Sequence, residues 1–450
     1  MPHRTAIAWF RRDLRLADNP ALTHALAHAE TIAPVFVDAP AHAPLAAGSA
    51  SRAWLDRSLH ALDGSLTACG SRLTRTDGPA AETLPALAAK LGATLVTCTR
   101  DWTPAALAEE SAVREALSAV GVELFVAESQ LLVTPDAVRT GSGTPYAVFT
   151  PYSRSWAAAW QPSSPLPAPA RIPDAGPVDG TAQASTHAAR QQPRHPRDLD
   201  GWWTPGEAGA IAKLAAFSAA CVAAYDRDRD LPAIHGTSEL SAHLSFGEVS
   251  PRQVAWAVAE GSEDAVAWPF LRQLAWREFA YHVLHAHPSS QTAPLKPEYA
   301  AFPWRDDEIA TTAWLEGRTG FPLVDAGMRQ LAETGWMHNR VRLVAASFLV
   351  KDVLVPWQTG EAAFRERLVD YDPAANAFNW QWVAGSGADA SPFFRIFNPT
   401  TQAKRFDPTG EYVRRWIPEL ESPEYPTPIV DHSEARTRAL AARAALSTWA

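Results

Sequence analysis

The first 130 residues alternate short apolar or β-branched runs with longer alanine-rich stretches. The runs that we predict to be strands cover residues 6–10, 31–37, 72–76, 94–99 and 122–126. The stretches between them that we predict to be helices include residues 51–68, 80–91 and 104–120. Alternation at this spacing is typical of helices packed on both faces of a parallel sheet. We therefore predict a doubly wound parallel sheet over residues 1–130, with its ligands at the carboxyl ends of the strands.

The rest of the chain follows a different pattern. From residue 205 to 450 the apolar positions repeat every three or four residues, most clearly over 266–285 and 339–355, so we predict a large all-helical domain. Residues 131–204 form the predicted connector between the domains. The connector is rich in proline over residues 161–198, which cannot bury enough apolar surface to fold alone. We expect it to lie over the surface and to be partly mobile.

Composition limits the classes of function. Lys and Arg total 40 against 49 Asp and Glu, a net charge of −9, so any nucleic-acid site must be a local basic patch. Cys69, Cys98 and Cys221 share no close spacing, which argues against disulfides and against a cysteine zinc site and favours a reducing cytosol. We predict no metal, no membrane span and a cytoplasmic location. The 18 Trp residues are unusual and need a reason.

Two helical segments carry polar groups suited to a phosphate ligand. Residues 236–241 cluster hydroxyls ahead of a predicted helix, where backbone N–H groups can meet a phosphate; taken alone, a plain N-cap explains them better. In residues 335–342, Asn339 can contact a ligand, Arg340 a phosphate and Arg342 a carboxylate. A capped helix start with solvated arginines is an equal alternative.

Three further segments combine polar and aromatic side chains. Residues 370–376 hold two carboxylates and an amide that can surround a polar heterocycle, although an Asx turn into a helix is the simpler explanation. Residues 391–407 interleave aromatic and basic side chains, as in grooves that bind phosphates and stacked bases, or else form a solvated loop. Residues 276–279, taken alone, indicate a packed core helix.

Each segment alone has an alternative explanation, but their combined order and spacing are characteristic of one protein family. Together with Trp9-Phe-Arg-Arg-Asp-Leu-Arg15, Asp18-Asn-Pro20, Trp416-Ile-Pro-Glu-Leu420 and Pro428-Ile-Val-Asp431, they make the chain resemble the photolyase/cryptochrome family over nearly its whole length. The resemblance is closest to the class I microbial cyclobutane pyrimidine dimer photolyases. It implies a Rossmann-like or flavodoxin-like antenna-binding domain at 1–130 and a helical domain at 205–450 that binds FAD and DNA.

The resemblance also implies roles for particular residues. The expected FAD contacts are Tyr225, Thr237, Ser238, Leu240, Ser241, Trp276, Asn339, Arg342, Asp370, Asp372 and Asn376, with Asn376 opposite flavin N5. Trp380, Trp357 and Trp304 match the family's electron-transfer chain from flavin to solvent, while Trp276 and Trp382 match the walls around an extruded dimer. The expected DNA contacts are Arg229, Gln273, Trp276, Arg340, Leu343, Trp382, Arg395 and Arg405.

The implied function is light-driven repair of cyclobutane pyrimidine dimers in UV-damaged DNA, in which excited reduced FAD gives an electron to the flipped dimer. The implied enzyme is a deoxyribodipyrimidine photo-lyase, acting as a monomer near the nucleoid. Two positions depart from the family pattern: Gln273 replaces the usual Glu, and Leu343 replaces the usual Met. These changes keep open the alternative of a cryptochrome-type blue-light photoreceptor that binds FAD without repair. Asn376 and the absence of a long tail favour repair.

The antenna chromophore is harder to predict. The sequence has Gln291 where the pterin-binding class carries Cys, and Ala105-Ala106 where that class carries Asn-Glu. We therefore favour a deazaflavin or flavin antenna, or none, over methenyltetrahydrofolate. Asp38, Arg11 and Asp101, near predicted strand ends, are the candidate antenna contacts.

Overall fold

A computed structural model describes residues 3–38, 49–176, 182–183, 199–260, 264–390 and 394–446. The strands of the N-terminal domain form one sheet in the order β5-β4-β1-β2-β3-β6. β1 to β5 are parallel, and the two-residue β6 pairs antiparallel with β3. The predicted doubly wound sheet is confirmed. Its strands are β1 (His3–Phe10), β2 (Ala29–Asp38), β3 (Thr74–Asp77), β4 (Leu95–Thr99), β5 (Glu123–Ala127) and β6 (Ala182–Gln183).

Helices α1 to α4 cover this sheet, and the helical domain contains most of the others. In chain order they are α1 (Pro20–His28), α2 (Ala50–Ala68), α3 (Ala80–Leu91), α4 (Pro104–Ala119), α5 (Phe149–Ala159), α6 (Glu207–Ala220), α7 (Tyr225–Asp228), α8 (Ser241–Phe246), α9 (Pro251–Ala259), α10 (Asp264–Ala286), α11 (Glu308–Leu315), α12 (Pro322–Thr334), α13 (Asn339–Ser347), α14 (Trp357–Arg367), α15 (Pro373–Ala384), α16 (Pro399–Phe406), α17 (Glu411–Trp416) and α18 (His432–Leu446). Short 3₁₀ turns occur at Pro135–Ala137, Val222–Ala224, Pro288–Gln291 and Pro297–Ala301.

The central strand β1 explains where the first motif lies. Alternate residues of β1 enter two hydrophobic clusters, one on each face of the sheet, which is why the strand is a continuous apolar run. β1 pairs with β2 on one side and β4 on the other, so the strand order reverses there. It ends at Phe10, and Arg11 to Arg15 therefore emerge at the carboxyl edge of the sheet, at its topological switch point.

The predicted continuous helix over 339–355 is interrupted. α13 ends at Ser347 and passes into a π-helix, Phe348–Val353, which stops at Leu354 with a φ of 65°. All six residues of the π-helix are buried. A fully buried segment has no exposed positions to mark its period, so the sequence pattern cannot distinguish a π-helix from an α-helix here. The wider turn directly follows the helix that carries Asn339 and Arg342, and π-turns are frequent at functional sites.

The connector is more ordered than its composition indicates. Residues 161–176 hydrogen-bond to the N-terminal domain: Ile32 N donates to Pro173 O at 2.7 Å, and Ala175 N donates to Ile32 O at 3.0 Å. Upstream, the buried Glu278 of α10 accepts from Trp156 Nε1 of α5 at 2.6 Å, and burial raises the pKa of Glu278 to about 7. The predicted mobility applies to residues 161–198, of which 177–181 and 184–198 lie outside the described residues.

No single helix in the described ranges is long and apolar enough to cross a bilayer, while the bent pair Glu207–Ala220 and Val222–Asp228 meets the criterion only together.

Candidate functional site

A cleft in the helical domain collects seven of the residues predicted to bind cofactor or DNA or to transfer electrons. It lies between α13, α14, α15 and the segment before α15, and encloses a cavity of about 80 Å³. The predicted residues that line it are Asn339, Arg342, Leu343, Asp370, Asp372, Asn376 and Trp380. They come from two separate stretches of sequence, 339–343 and 370–380, which the fold brings together.

Arg342 and Asp370 form the polar wall of the cleft. Arg342 Nη2 donates to Asp370 Oδ2 at 2.7 Å, and Arg342 Nε donates to Met337 O at 2.6 Å. The other oxygen, Asp370 Oδ1, is buried and accepts no hydrogen bond from any described residue. A buried acceptor without a donor is costly, so this oxygen suits an N–H or O–H group of a bound ligand.

Asp372 differs from Asp370 in that both of its carboxylate oxygens bind protein groups. Its Oδ1 accepts from the backbone N–H groups of Ala374 and Ala375 and so caps α15. Its Oδ2 accepts from Tyr281 Oη at 2.6 Å and from Arg12 Nη2 at 3.0 Å. Burial raises the pKa of Asp372, but Arg12 and Arg277 outweigh it and hold that pKa below its usual value. The carboxylate therefore stays ionised, and both of its oxygens are engaged by protein groups.

Asn376 lies four residues into α15 with a fixed orientation. Its Nδ2 donates to both Glu361 Oε1 at 3.0 Å and Glu361 O at 3.2 Å. Because both partners are acceptors, the amide nitrogen must point at Glu361 and the carbonyl Oδ1 must point away from it. Glu361 is itself held by Arg365. The side chain thus lines the cleft with an oxygen free to accept a hydrogen bond.

The three predicted electron-transfer tryptophans belong to one hydrophobic cluster beside the cleft. Trp380 lines the cleft and packs on α14 at Gly360, where a Cβ would lie 2.1 Å from Trp380 Cη2. Trp357 begins α14, three residues from Gly360 and on the same side of the helix, and is only 1% exposed. Trp304 is half-buried and lines a surface hollow with Val355 and Pro356, next to Trp357 in the chain.

The predicted phosphate-binding segment lies on the far side of Arg342. Trp336 Nε1 donates to Ser241 Oγ at 3.3 Å, and the Arg342 guanidinium carbon is 5.9 Å from the Trp336 ring centre. Leu240 shares a hydrophobic cluster with Tyr225, and burial raises the pKa of Tyr225 to about 12. Ser238 Oγ accepts only a long bond from Leu240 N, and Thr237 is half-buried. Leu240 therefore places Tyr225 against the predicted phosphate-binding segment.

Trp276 and Gln273 occupy one side of α10. The Trp276 ring stacks on Phe149 of α5, with ring centres 3.5 Å apart and planes within 7°. Gln273 Nε2 donates to Pro269 O of its own helix at 3.2 Å. Trp382 lies on α15, which packs against α10 through Phe378 and Trp276. No pattern in the sequence predicts that Phe149 of the connector lies here.

The predicted DNA-binding arginines differ in how they are held. Arg340 pairs with Asp230 at 2.9 Å, and its guanidinium carbon lies 4.4 Å from the Phe406 ring centre. Arg405 lies 5.1 Å from the same ring, and Arg395 lies 5.5 Å from the Trp382 ring. Arg229 is 3.8 Å from Asp226. Residues 391–393 of the predicted groove lie outside the described residues.

The candidate antenna contacts are already engaged with protein groups. Asp38 pairs with Arg52 and Arg75, and their hydrogen bonds outweigh burial and lower the pKa of Asp38 to about 2. Arg11 donates to Ala106 O and to Glu109 at 3.0 Å each. Asp101 accepts from Thr103 N and Gln130 Nε2.

Sequence reasoning missed four residues that shape the site: Arg12, Phe149, Trp336 and Glu361. Arg12 lies within the segment Trp9–Arg15 and Trp336 within residues 335–342. Both segments were already singled out in the sequence, so these two residues could have been examined as site candidates. Glu361 and Phe149 had no local signal, because their roles depend on contacts between distant segments.

The groups around the cleft fit FAD. Asp370 Oδ1 offers an unused acceptor, Asn376 Oδ1 offers a second, and Trp336 links Ser241 of the hydroxyl-rich segment 237–241 to Arg342 of the cleft. Together they suit a flavin N–H, ribityl hydroxyls and a pyrophosphate.

Comparisons with known proteins agree. Residues 6–170 match the family model "DNA photolyase", and residues 270–424 match "FAD binding domain of DNA photolyase". The chain is 42% identical to a deoxyribodipyrimidine photo-lyase of Agrobacterium fabrum, over 98% of each chain, and 40% identical to one of Thermus thermophilus, over 96% of this chain and 97% of that one.

Solved structures give the same result. A bacterial class III photolyase from Agrobacterium tumefaciens superposes with a TM-score of 0.94 at 41% identity, covering 100% of this chain and 98% of the other. A Synechocystis cryptochrome superposes with a TM-score of 0.87 at 25% identity, covering 98% and 99%. This chain belongs to the DNA photolyase family. The predictions of an enzyme of photo-lyase type and of an FAD-binding domain are thereby confirmed.

Proposed function

We propose that this protein repairs cyclobutane pyrimidine dimers in UV-damaged DNA by light-driven electron transfer from reduced FAD. The observation that carries the proposal is the fixed amide of Asn376, which presents Oδ1 to the cleft beside Trp380. When bound, reduced FAD supplies the excited electron, and the protein supplies orientation, exclusion of water and electrostatics.

In this proposal, Asn376 Oδ1 accepts a hydrogen bond from an N–H of the flavin ring, and Asp370 Oδ1 accepts one from another N–H or O–H group of the cofactor. Trp380, Trp357 and Trp304 would pass an electron inward to the cofactor before repair, and an external one-electron reductant would replace the electron lost by the outermost tryptophan. Trp276, backed by Phe149, provides a flat apolar wall for an extruded dimer. Gln273 offers an amide N–H to a dimer carbonyl in place of a carboxylic acid, and Arg229, Arg340, Arg395 and Arg405 contact backbone phosphates.

Repair is tested by illuminating the reduced, FAD-loaded protein with a thymine-dimer oligonucleotide and measuring restored thymines by chromatography. We expect restoration in the light and none in the dark. Flavin that is bound and reduced without any restoration would overturn the proposal.

Gln273 favours one other candidate, a blue-light photoreceptor of the cryptochrome type. The same assay separates the two, because a photoreceptor would undergo flavin photoreduction without restoring thymines. The Gln273→Glu variant sharpens the comparison: gain of repair only in that variant would favour the photoreceptor for the natural chain.

The remaining parts of the proposal concern organisation and antenna. We assign antenna binding to residues 1–130, the connector to 131–204 and catalysis to 205–450, in a cytoplasmic monomer acting at the nucleoid. A deazaflavin or flavin antenna is favoured over methenyltetrahydrofolate. An archaeal photolyase from Sulfolobus tokodaii, 29% identical with a TM-score of 0.84 and covering 98% of this chain and 100% of the other, is described with two FAD molecules and supports a flavin. An absorption spectrum of the purified protein tests the antenna.

A further inference from the structure

A second cavity, of about 230 Å³, opens beside Trp382 on the other side of α15 from the cleft. Its wall is formed by the end of α15, the 3₁₀ turn Pro297–Ala301, residues 394–397 and α18. The lining residues that matter for its charge and shape are Lys296, Tyr299, Trp382, Gly385, Arg395 and Arg443. Val383 lines both this cavity and the cleft, so one turn of α15 separates them.

Three cations line this cavity without a carboxylate partner. Lys296, Arg395 and Arg443 form no ion pair with any described residue. They are held by other groups: Lys296 Nζ donates to Gly385 O at 3.2 Å, and the Arg443 guanidinium carbon is 5.5 Å from the Tyr299 ring centre. Arg395 lies over Trp382. Carbonyls and aromatic faces position these cations but leave their charge uncompensated.

A fourth basic side chain lies directly behind the wall. Lys351, from the π-helix, is 1% exposed, donates to Ala384 O at 2.6 Å and lies 3.2 Å from the Phe394 ring centre. Burial, followed by Arg443 and Lys296, holds the pKa of Lys351 well below its usual value. Burial also lowers the pKa of Lys296; the exposed Glu298 opposes this and Arg443 adds to it. The cavity is therefore a region of positive potential in which the cations repel one another.

We propose that this cavity is an anion site that takes a backbone phosphate of bound DNA next to the extruded nucleotide. The inference rests on the proposed function for its ligand, since Arg395 and Trp382 join the cavity to the predicted lesion wall. A phosphate offers oxygen acceptors to several cations at once and relieves their mutual repulsion. The C-terminal helix α18 thereby becomes part of the DNA-binding surface through Arg443.

The test compares Arg443→Gln and Lys296→Gln with Arg436→Gln. Arg436 is exposed on α18, so this control loses the same charge from the same helix outside the cavity. Binding of a fluorescent thymine-dimer duplex to the FAD-loaded proteins is measured by anisotropy from about 50 to about 200 mM salt, as is binding of an undamaged single strand. We expect each cavity variant to weaken duplex binding about tenfold at the lowest salt and to reduce the slope of log K against log salt by about 0.9.

The outcomes separate this proposal from the proposed function. Equal affinities and salt slopes in Arg443→Gln, Lys296→Gln and Arg436→Gln would overturn the cavity assignment, even if the natural protein repairs dimers. A protein that binds DNA with the expected slopes but restores no thymines would overturn repair and leave the cavity supported.

A second experiment adds inorganic phosphate to the protein and measures the shift of the thermal unfolding midpoint. Stabilisation of the natural protein but not of Arg443→Gln, with unchanged DNA slopes, would assign the cavity to a free anion and overturn a DNA phosphate. The unfolding midpoints of all variants are also measured without phosphate. If those of Arg443→Gln and Lys296→Gln equal that of Arg436→Gln, their loss of binding is not caused by a loss of folding.

Discussion

Arg12 of the N-terminal domain donates a hydrogen bond to Asp372 of the helical domain, 3.0 Å away, and so reaches from the end of β1 to the cap of the helix that carries Asn376. The same guanidinium donates to Ser245 O and to Tyr281 Oη. The contact makes the cleft depend on a residue outside the helical domain.

Loss of Arg12 should therefore weaken the cleft. In Arg12→Met, the buried Asp372 keeps its charge but loses its partner, and we expect a loss of about 3 kcal/mol in the free energy of unfolding and a lower FAD content. Chemical denaturation and the absorbance of bound flavin measure both. Adding Asp372→Asn should recover much of the loss, since Asn still caps a helix and carries no charge. The exposed Arg4→Met is the control, and an equal effect there would contradict the argument.

The orientation of Asn376 should depend on Glu361. In Glu361→Ala, the amide loses its side-chain acceptor and can rotate, so Oδ1 no longer faces the cleft in every molecule. We expect slower photoreduction of bound flavin and faster reoxidation in air, followed by absorbance, with FAD content retained. Glu366 is exposed on the same helix, and Glu366→Ala should behave like the natural protein. Unchanged reduction and reoxidation in Glu361→Ala would show that Asn376 is oriented by other contacts.

The order of the tryptophan chain gives a kinetic prediction. Trp357→Phe should sharply slow photoreduction, because phenylalanine is much harder to oxidise and breaks the path between Trp380 and Trp304. Trp314 also contacts Trp380, with ring centres 6.1 Å apart, but lies outside the predicted chain. Trp314→Phe should therefore have the smaller effect. If Trp314→Phe slows the reaction and Trp357→Phe does not, the route is wrong.

His338 should make the cleft sensitive to acid. It caps α13 by accepting from Arg340 N, and burial, aided by Arg342 and Arg340 and opposed by Asp230, lowers the pKa of His338 from 6.5 to about 4. The folded state therefore binds fewer protons, so the contribution is complete above pH 6.5 and is lost as the pH falls toward 4. The shift corresponds to about 3 kcal/mol.

His338→Asn retains a capping group and cannot be protonated in this range. Its free energy of unfolding should fall less than that of the natural protein between pH 6.5 and 4. His60, which is exposed, provides the matched control, and His60→Asn should keep the natural profile. If the free energy of unfolding falls equally with pH in the natural chain and in His338→Asn, His338 is not the source of the acid sensitivity.

These contacts show how far the sequence reaches. Periodicity was enough for β1 and for the boundaries of α3, because each depends on local burial. The order of the motifs was enough to predict that Asp370, Asp372 and Asn376 lie at one site. Periodicity could not reveal that Asp372 binds Arg12, or that Glu361 turns Asn376, since these contacts join residues far apart in the chain. The π-helix after α13 was hidden because both helix types bury the same side chains.

The stack of Phe149 on Trp276 has a consequence for the entropic cost of binding. The connector helix sets the plane of the indole when the protein folds, so the rotational entropy of that side chain is already lost before any substrate arrives. In the proposed function, Trp276 offers an extruded base one rigid aromatic face, because Phe149 already covers the other face.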